Sequence, residues 1–286
     1  MNFNRNFKEQ DLNLLNNDGV ILLKNFVSKK KIKLISDEIQ PWLKKITFNN
    51  TLSSSIIGNN QWISHLGLAS EHAVKLALDL KLTSFIEKYF GEKIILAECS
   101  YQKKILPEKK DIPWHSDREN GIYVFVFLNN VSNQNGSTTF IKKSHIIDED
   151  NNYKVGDGAK YITDEAIKNQ SGEIIQVNGE AGTILIFSQN IWHKLPSFKK
   201  PGREVLWFKY FPERIRYFAV NHLYKQSVLS KLTKDQLAIY CVGEKINFKK
   251  GITQLGSNTF ESGEHKISNF RMLLYYLRFY LISLFR

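Results

Sequence analysis

The fold is decided by a series of short apolar runs between residues 93 and 211. The two clearest are Thr-Ile-Leu-Ile-Phe at 183–187 and Val-Leu-Trp-Phe-Lys-Tyr-Phe at 205–211. The other runs in the series lie at 94–97, 122–128, 138–141 and 174–177, and Gly, Asn, Asp and Pro residues separate them. Short strands divided by turn residues are typical of a β sandwich or a β barrel. We therefore predict a β core over residues 93–215.

The sequence before this core has a helical period. Residues 10–91 are expected to be mainly helical, with one buried strand at 19–23. Ser28 is the predicted N-cap of an amphipathic helix that ends near Pro41. Residues 71–90 are predicted to form a helix, which Gly91 ends as its C-cap.

Helical patterns also interrupt and follow the core. A small helix is expected at 160–169, and a capping box of Thr233 and Gln236 predicts another. Residues 243–263 are polar and loop-like. We therefore divide the chain into a domain at 1–215, with a helical part at 1–92, and a C-terminal helical extension at 216–286.

Composition excludes several classes of protein. The chain has 286 residues, 42% of them hydrophobic, which suits one globular domain with appendages. The net charge is +12, but the lysines are scattered and there is no arginine-rich block, so we expect no nucleic-acid binding. Cys99 and Cys241 form no CxxC or zinc-finger spacing and indicate a reducing compartment. Residues 1–18 do not resemble a signal peptide, and no run is apolar enough to span a membrane, so the expected location is cytoplasmic.

A candidate metal site consists of His115, Asp117 and His193. Residues i and i+2 of a strand point to one face, so His115-Ser-Asp117 would present an imidazole and a carboxylate together. Two His and one carboxylate hold iron(II) (Fe2+) and leave open positions for oxygen and a cosubstrate. Of the seven histidines, only His115 has an acidic residue two positions on. The alternatives are a surface-turn histidine at 115 and a hydrogen-bonded histidine at a strand end at 193.

Arg203 is the candidate anchor for the cosubstrate. It follows His193 by ten residues and immediately precedes the run at 205–211. A guanidinium fork matches both oxygens of a carboxylate, such as the far carboxylate of 2-oxoglutarate. The alternative is a loop arginine in a Lys-Pro-Gly-Arg turn.

Taken together, these residues resemble the phytanoyl-CoA dioxygenase family over residues 10–215. The opening Asp18-Gly-Val-Ile-Leu-Leu-Lys-Asn-Phe26 is similar to the first strand of that family, and Trp114-His-Ser-Asp117 to its metal motif. Asn135-Gly-Ser-Thr-Thr-Phe-Ile-Lys-Lys-Ser-His145 resembles its Asn-Gly…Ser-His hairpin, and residues 182–203 resemble the stretch with its distal His and Arg. Lys142 and Lys143 stand where that family often has Pro-Gly.

The resemblance implies a mainly β fold with flanking helices, a double-stranded β-helix of the jelly-roll or cupin-like type. It implies iron(II) at His115, Asp117 and His193, with 2-oxoglutarate at Arg203. Gln102 and Thr138 (or Thr139) would be further contacts to 2-oxoglutarate, while His145 would be structural.

The same resemblance implies a dioxygenase that uses O2 and releases succinate and CO2. Halogenating relatives lack the carboxylate that Asp117 retains here, so we expect hydroxylation of an unactivated C–H bond in a small or lipid-linked substrate. Two alternatives are a non-catalytic relative and a cupin-like metal protein that does not use 2-oxoglutarate.

The C-terminal stretch at 269–286 is dense in Leu, Tyr, Phe and Arg. As a helix it could pack on the core of the protein, form a dimer contact or lie in a membrane interface. Our hypothesis is peripheral membrane contact, and the oligomeric state is left open.

Overall fold

The computed structural model describes residues 3–44, 55–117, 120–146, 153–156, 159–167, 172–214, 222–239, 245–249 and 252–255. Its helices are α1 (Glu9–Asp18), α2 (Lys29–Leu43), α3 (Leu66–Ala69), α4 (Glu71–Ala77), α5 (Leu80–Phe90), α6 (Asp164–Ile167), α7 (Gln226–Leu229) and α8 (Lys234–Ile239). Its strands up to the distal histidine are β1 (Val20–Leu23), β2 (Ser55–Ile57), β3 (Asn60–Ile63), β4 (Ile94–Lys104), β5 (Ile112–Asp117), β6 (Ile122–Phe127), β7 (Thr139–Ile141), β8 (Tyr153–Gly156), β9 (Ala159–Ile162), β10 (Ile174–Gln176) and β11 (Ile184–Ser188). The remaining strands are β12 (His193–Leu195), β13 (Glu204–Pro212), β14 (His222–Lys225), β15 (Lys245–Lys249) and β16 (Ile252–Leu255).

Two antiparallel sheets form the core. The larger has seven strands in the order β1-β11-β6-β13-β4-β3-β2, and the smaller has six in the order β10-β7-β12-β5-β9-β8. Their inner faces meet, because Phe140 of the small sheet packs on Phe187 of the large one with ring centroids 4.9 Å apart. A third sheet has the order β14-β16-β15.

Both faces of the large sheet are buried. Alternate residues of its central strands pack against the helices, and the others point into the space between the sheets. On β6 the helix-facing set is Ile122, Val124 and Val126, and the interior set is Tyr123, Phe125 and Phe127. Burial on both faces explains why these strands are continuous apolar runs rather than alternating ones.

The predicted helix ends are largely confirmed. The side chain of Ser28 accepts a hydrogen bond from the Lys31 amide at the start of α2, and Gly91 ends α5 with φ of 70°. The capping box is present as well, since Thr233 and Gln236 each accept from the main-chain amide of the other.

Helix α2 ends at Leu43, two residues after Pro41, close to its predicted end. The helical prediction for residues 10–91 is wrong in two places. The helix predicted at 71–90 is two helices, since Asp79 caps α5 by accepting from the Lys81 amide. Strands β2 and β3 form a hairpin around a Gly-Asn turn at 58–59 and extend the large sheet through β4.

Two later predictions also need correction. Residues 160–169 contain the end of β9 as well as helix α6, and the segment 243–263 contains β15 and β16 rather than a loop alone. The described part of 216–286 therefore holds three strands beside its two short helices. Residues 269–286, for which membrane contact was our hypothesis, lie outside the described residues, as does Cys241.

No helix in the described part of the chain is both long and apolar enough to cross a membrane. Cys99 is buried and unpaired on β4. Burial raises the pKa of its thiol, so the thiol stays protonated at neutral pH.

Gly182 fixes the start of β11 against the loop that follows β1. Its carbonyl accepts from the amides of Phe26 (3.0 Å) and Val27 (2.9 Å). Its φ is +88°, and a Cβ there would collide with the main-chain oxygen of Val27. Only glycine fits, because both the conformation and the space exclude a side chain.

We predict that Gly182→Ala lowers the free energy of unfolding by at least about 3 kcal/mol, because a backbone clash is added to left-handed strain. Gly91→Ala is the matched control: its φ is +70° but nothing lies within 4 Å of the added Cβ. Gly91→Ala should lower the free energy of unfolding by only about 1 kcal/mol. Urea unfolding measures both, and equal losses would contradict the steric account.

Candidate metal and cosubstrate site

His115 and His193 lie opposite each other on neighbouring strands. They are register partners in the pairing of β5 with β12, and their ring centroids are 4.1 Å apart. The sheet thus brings together two histidines that are far apart in the sequence, as the candidate metal site requires.

Both rings are held in the same tautomer. Nδ1 of His115 donates to the carbonyl oxygen of Pro113 at 2.8 Å, and Nδ1 of His193 donates to that of Ile191 at 2.9 Å. A carbonyl can only accept, so in each neutral ring the lone pair is on Nε2. Metal-binding histidines are commonly oriented by such a contact from the other ring nitrogen.

The environment of His193 keeps it neutral. The side chain is buried and packs against the rings of Phe140 and Phe187, with centroids 5.8 and 5.6 Å away. Burial and, to a smaller extent, the neighbouring His115 lower the pKa of His193 to about 3, against a smaller opposite effect of the Ile191 carbonyl. A neutral imidazole is the form that binds a metal.

Asp117 lies on the same strand as His115. Trp114 and Ser116, which are buried, alternate with His115 and Asp117 along β5, so the two candidate ligands leave the sheet on the same side. Within the described ranges, however, no three His, Cys, Asp or Glu side chains are gathered as a metal-binding group. The carboxylate of Asp117 is therefore not converged with the two imidazoles, and its role as a ligand stays a prediction.

Arg203 is a buried cation that pairs with no carboxylate among the described residues. Its side chain is 5% exposed; Nη1 donates to the carbonyl of Gly136 and Nη2 to Oε1 of Gln102, both at 2.7 Å. Its Nε is buried and makes no hydrogen bond. Burial lowers the pKa of Arg203 to about 10, so it remains charged at neutral pH. An uncompensated buried charge is costly, which suits a site that receives an anion.

The two other predicted cosubstrate residues are placed differently. Gln102 touches Arg203 directly, as described. Thr138 is buried and lies two residues after Gly136, and its carbonyl accepts from the Val177 amide at 3.0 Å. Thr139, the alternative, belongs to β7 and pairs with Lys194.

The Ser-His end of the hairpin supports the metal strand instead of contributing a ligand. Oγ of Ser144 accepts from the amide of Trp192 at 2.9 Å, immediately before His193. Nε2 of His145 donates to the carbonyl of Asn16 at 3.1 Å and ties the hairpin to α1. A structural role for His145 agrees with the expectation from sequence.

Two residues near the site were not found from sequence. Tyr161 of β9 is the register partner of His115, with ring centroids 6.0 Å apart, and it was missed because residues 160–169 were predicted to be helical. Lys104 is buried at the end of β4 beside Arg203, and nothing in the local sequence distinguishes it from the exposed lysines around it.

Comparison with known structures identifies the fold. EctD from S. alaskensis in its apo form superposes with a TM-score of 0.59 at 16% identity, covering 73% of this chain and 79% of that one. The epimerase SnoN in complex with Fe3+, alpha ketoglutarate and nogalamycin RO gives 0.57 at 16% identity, covering 71% and 83%. HygX from Streptomyces hygroscopicus with nickel, 2-oxoglutarate and hygromycin B bound gives 0.56 at 14% identity, covering 72% and 88%. The fold is a double-stranded β-helix with flanking helices, as predicted.

Sequence comparison identifies the family. No curated protein is significantly similar to the chain. The profile of the phytanoyl-CoA dioxygenase (PhyH) family matches residues 15–194, which is more than half of the chain and includes all three predicted metal ligands. The chain belongs to the phytanoyl-CoA dioxygenase (PhyH) family.

Proposed function

We propose that this protein is an iron(II)- and 2-oxoglutarate-dependent dioxygenase that hydroxylates an unactivated C–H bond of a small molecule. The observation that carries the proposal is the pair His115 and His193, whose rings face each other with both Nε2 lone pairs available. The uncompensated Arg203 is independent support, because it provides for a carboxylate.

The residues fit this metal. His115, His193 and Asp117 would hold it, and two neutral imidazoles with one carboxylate are the usual ligand set of iron(II) oxygenases. When bound, iron would activate O2 together with 2-oxoglutarate: one oxygen atom would go to succinate as CO2 is released, and the other to the hydroxylated substrate. Asp117 leaves β5 on the same side as His115, which supports it as the carboxylate of the set.

The other side chains prepare the site for an anion and keep it dry. Gln102 and Gly136 fix two of the guanidinium nitrogens, so Arg203 is oriented before the cosubstrate arrives. Phe140 and Phe187 cover His193 and restrict water around its ring. Arg203 would bind the far carboxylate of 2-oxoglutarate through its free Nε and the outer sides of its Nη groups.

One fold and one metal site serve several chemistries, so the substrate has to be identified by experiment. Structural neighbours include an epimerase and a protein with 5-hydroxyectoine bound. We propose hydroxylation because Asp117 is retained. A lipid-linked substrate and membrane contact through residues 269–286 remain predictions from sequence.

The proposal is tested by loading the protein with iron(II) without oxygen and screening small molecules for succinate formation in air. We expect one or more compounds to raise succinate release above the uncoupled background. Iron binding without any use of 2-oxoglutarate would favour the cupin-like alternative. Failure to bind iron would favour the non-catalytic one.

We predict that His115→Ala and His193→Ala each weaken iron binding by at least about 100-fold, because each removes a direct ligand. Iron content after gel filtration measures this. The matched control is His72→Ala, since His72 is a half-exposed histidine whose Nδ1 pairs with Glu38 at 2.7 Å. Wild-type iron content in either site variant would refute the assignment.

We predict that Arg203→Leu raises the KM for 2-oxoglutarate by at least about 30-fold, since truncating a buried charged contact costs about 2 kcal/mol or more. Arg203→Lys should retain only part of the affinity for 2-oxoglutarate, because lysine lacks the forked guanidinium group. Binding of 2-oxobutyrate, which lacks the far carboxylate, should not change. An unaltered KM in the Leu variant, with normal iron content, would contradict the role.

A further inference from the structure

A second buried cation lies directly across from Arg203. The pairing of β13 with β4 sets Glu204 against Lys103, and the next pair in that register is Arg203 and Lys104. One main-chain hydrogen bond joins them, from the Lys104 amide to the Arg203 carbonyl at 2.8 Å, and the Lys104 carbonyl accepts a second from the Gly202 amide at 2.7 Å. Side chains directly opposite on paired strands point to the same face.

That face is the interior of the barrel. Lys104 is two residues after Gln102 on β4, and Gln102 is hydrogen-bonded to Arg203. The Lys104 side chain is 3% exposed. By contrast, Lys103 points the other way, is 31% exposed and pairs with Glu204 at 2.9 Å.

The charges in this group do not balance. Nζ of Lys104 lies 3.6 Å from a carboxylate oxygen of Glu108, whose other oxygen accepts from the Asn59 amide group at 3.0 Å. In the described part of the chain, Glu108 is the one carboxylate within ion-pairing distance of either cation. Two cations and one carboxylate leave one positive charge buried, and one further carboxylate would neutralise it.

The two cations also share their surroundings. Nζ of Lys104 lies 5.9 Å from the ring centroid of Phe198. A Cβ added to Gly136 would meet that same ring at 3.0 Å, and the Gly136 carbonyl holds Arg203. Phe198 therefore packs beside both cationic groups at this end of the barrel.

We propose that Lys104 is a positioning residue for the cosubstrate: its ammonium, held by Glu108, adds to the positive charge that Arg203 presents to the far carboxylate of 2-oxoglutarate. The inference rests on the proposed function. It explains why two like charges stand opposite each other in a buried site, an arrangement that would otherwise only destabilise the fold.

The arrangement has a consequence for pH. Burial and, to a smaller extent, the positive charge of Arg203 lower the pKa of Lys104, Glu108 partly opposes them, and the resulting pKa is about 8. A bound carboxylate would raise the pKa again, because it stabilises the ammonium. Affinity for 2-oxoglutarate should then be full below about pH 8 and weaken as pH rises above it.

The test measures the Kd for 2-oxoglutarate by titration calorimetry on nickel-loaded protein, which binds without turnover. We expect Lys104→Met to raise the Kd about tenfold at neutral pH and to abolish the alkaline weakening. Lys104→Arg should keep the wild-type affinity for 2-oxoglutarate at neutral pH. It should also keep that affinity above about pH 8, since arginine is not deprotonated. Lys103→Met is the matched control and should behave as wild type.

Distinct outcomes separate the failures. A Kd within about twofold of wild type for Lys104→Met, with binding lost in Arg203→Leu, would overturn the role of Lys104 and leave the proposed function standing. Absence of 2-oxoglutarate binding in the wild-type protein would overturn the proposed function itself. If Lys104→Met does not fold, the Lys104→Arg variant decides the question. If its affinity for 2-oxoglutarate falls with rising pH as in the wild type, the inference is refuted.

Discussion

The register of two strand pairs is the constraint on which the whole site depends. Pairing of β12 with β5 places His193 opposite His115. Pairing of β13 with β4 sets Glu204 opposite Lys103, and the hydrogen bond from the Lys104 amide to the Arg203 carbonyl continues it by one residue. A slip of one residue would turn every one of these side chains to the other face of its sheet. The chemistry of the site is therefore set by main-chain hydrogen bonding in both sheets.

Side-chain packing on the outer face of the small sheet fixes this register. Trp114 and Trp192 alternate with the two histidines and pack outside the sheet in a cluster with Ile141. Oγ of Ser144 also holds the Trp192 amide. A shift would move both indole rings into the barrel, so the packing outside the sheet keeps the histidines inside.

The barrel interior separates neutral from charged groups. Aromatic rings surround His193 and favour its neutral form, which a metal needs. Arg203 and Lys104 lie at another place in the interior and stay charged at the cost of burial. Such a cost is typical of a binding site, because groups arranged for a ligand are rarely optimal for stability without it.

Sequence reasoning succeeded where the signal is local. The caps at Ser28 and Gly91 and the core strands all follow from patterns a few residues long. It failed where pairing between distant segments decides. Strand β3 exists because it pairs with β4, and β9 because it pairs with β5; in both segments the local pattern was compatible with a helix.

Lys104 illustrates the same limit at the site. Its neighbour Lys103 is identical in type, and only the register with β13 determines which of the two is buried beside Arg203. Arg203 could be proposed from its separation from His193 in the sequence, whereas its contact with Gln102 could be found only from the fold.

The most direct test of the central claim is an anaerobic titration of 2-oxoglutarate into the iron(II)-loaded protein, followed by visible absorption. If His115, His193 and Asp117 hold iron and Arg203 holds the far carboxylate, a weak charge-transfer band should appear and saturate at about one 2-oxoglutarate per chain. A folded, iron-loaded protein that develops no band at saturating 2-oxoglutarate would contradict the account.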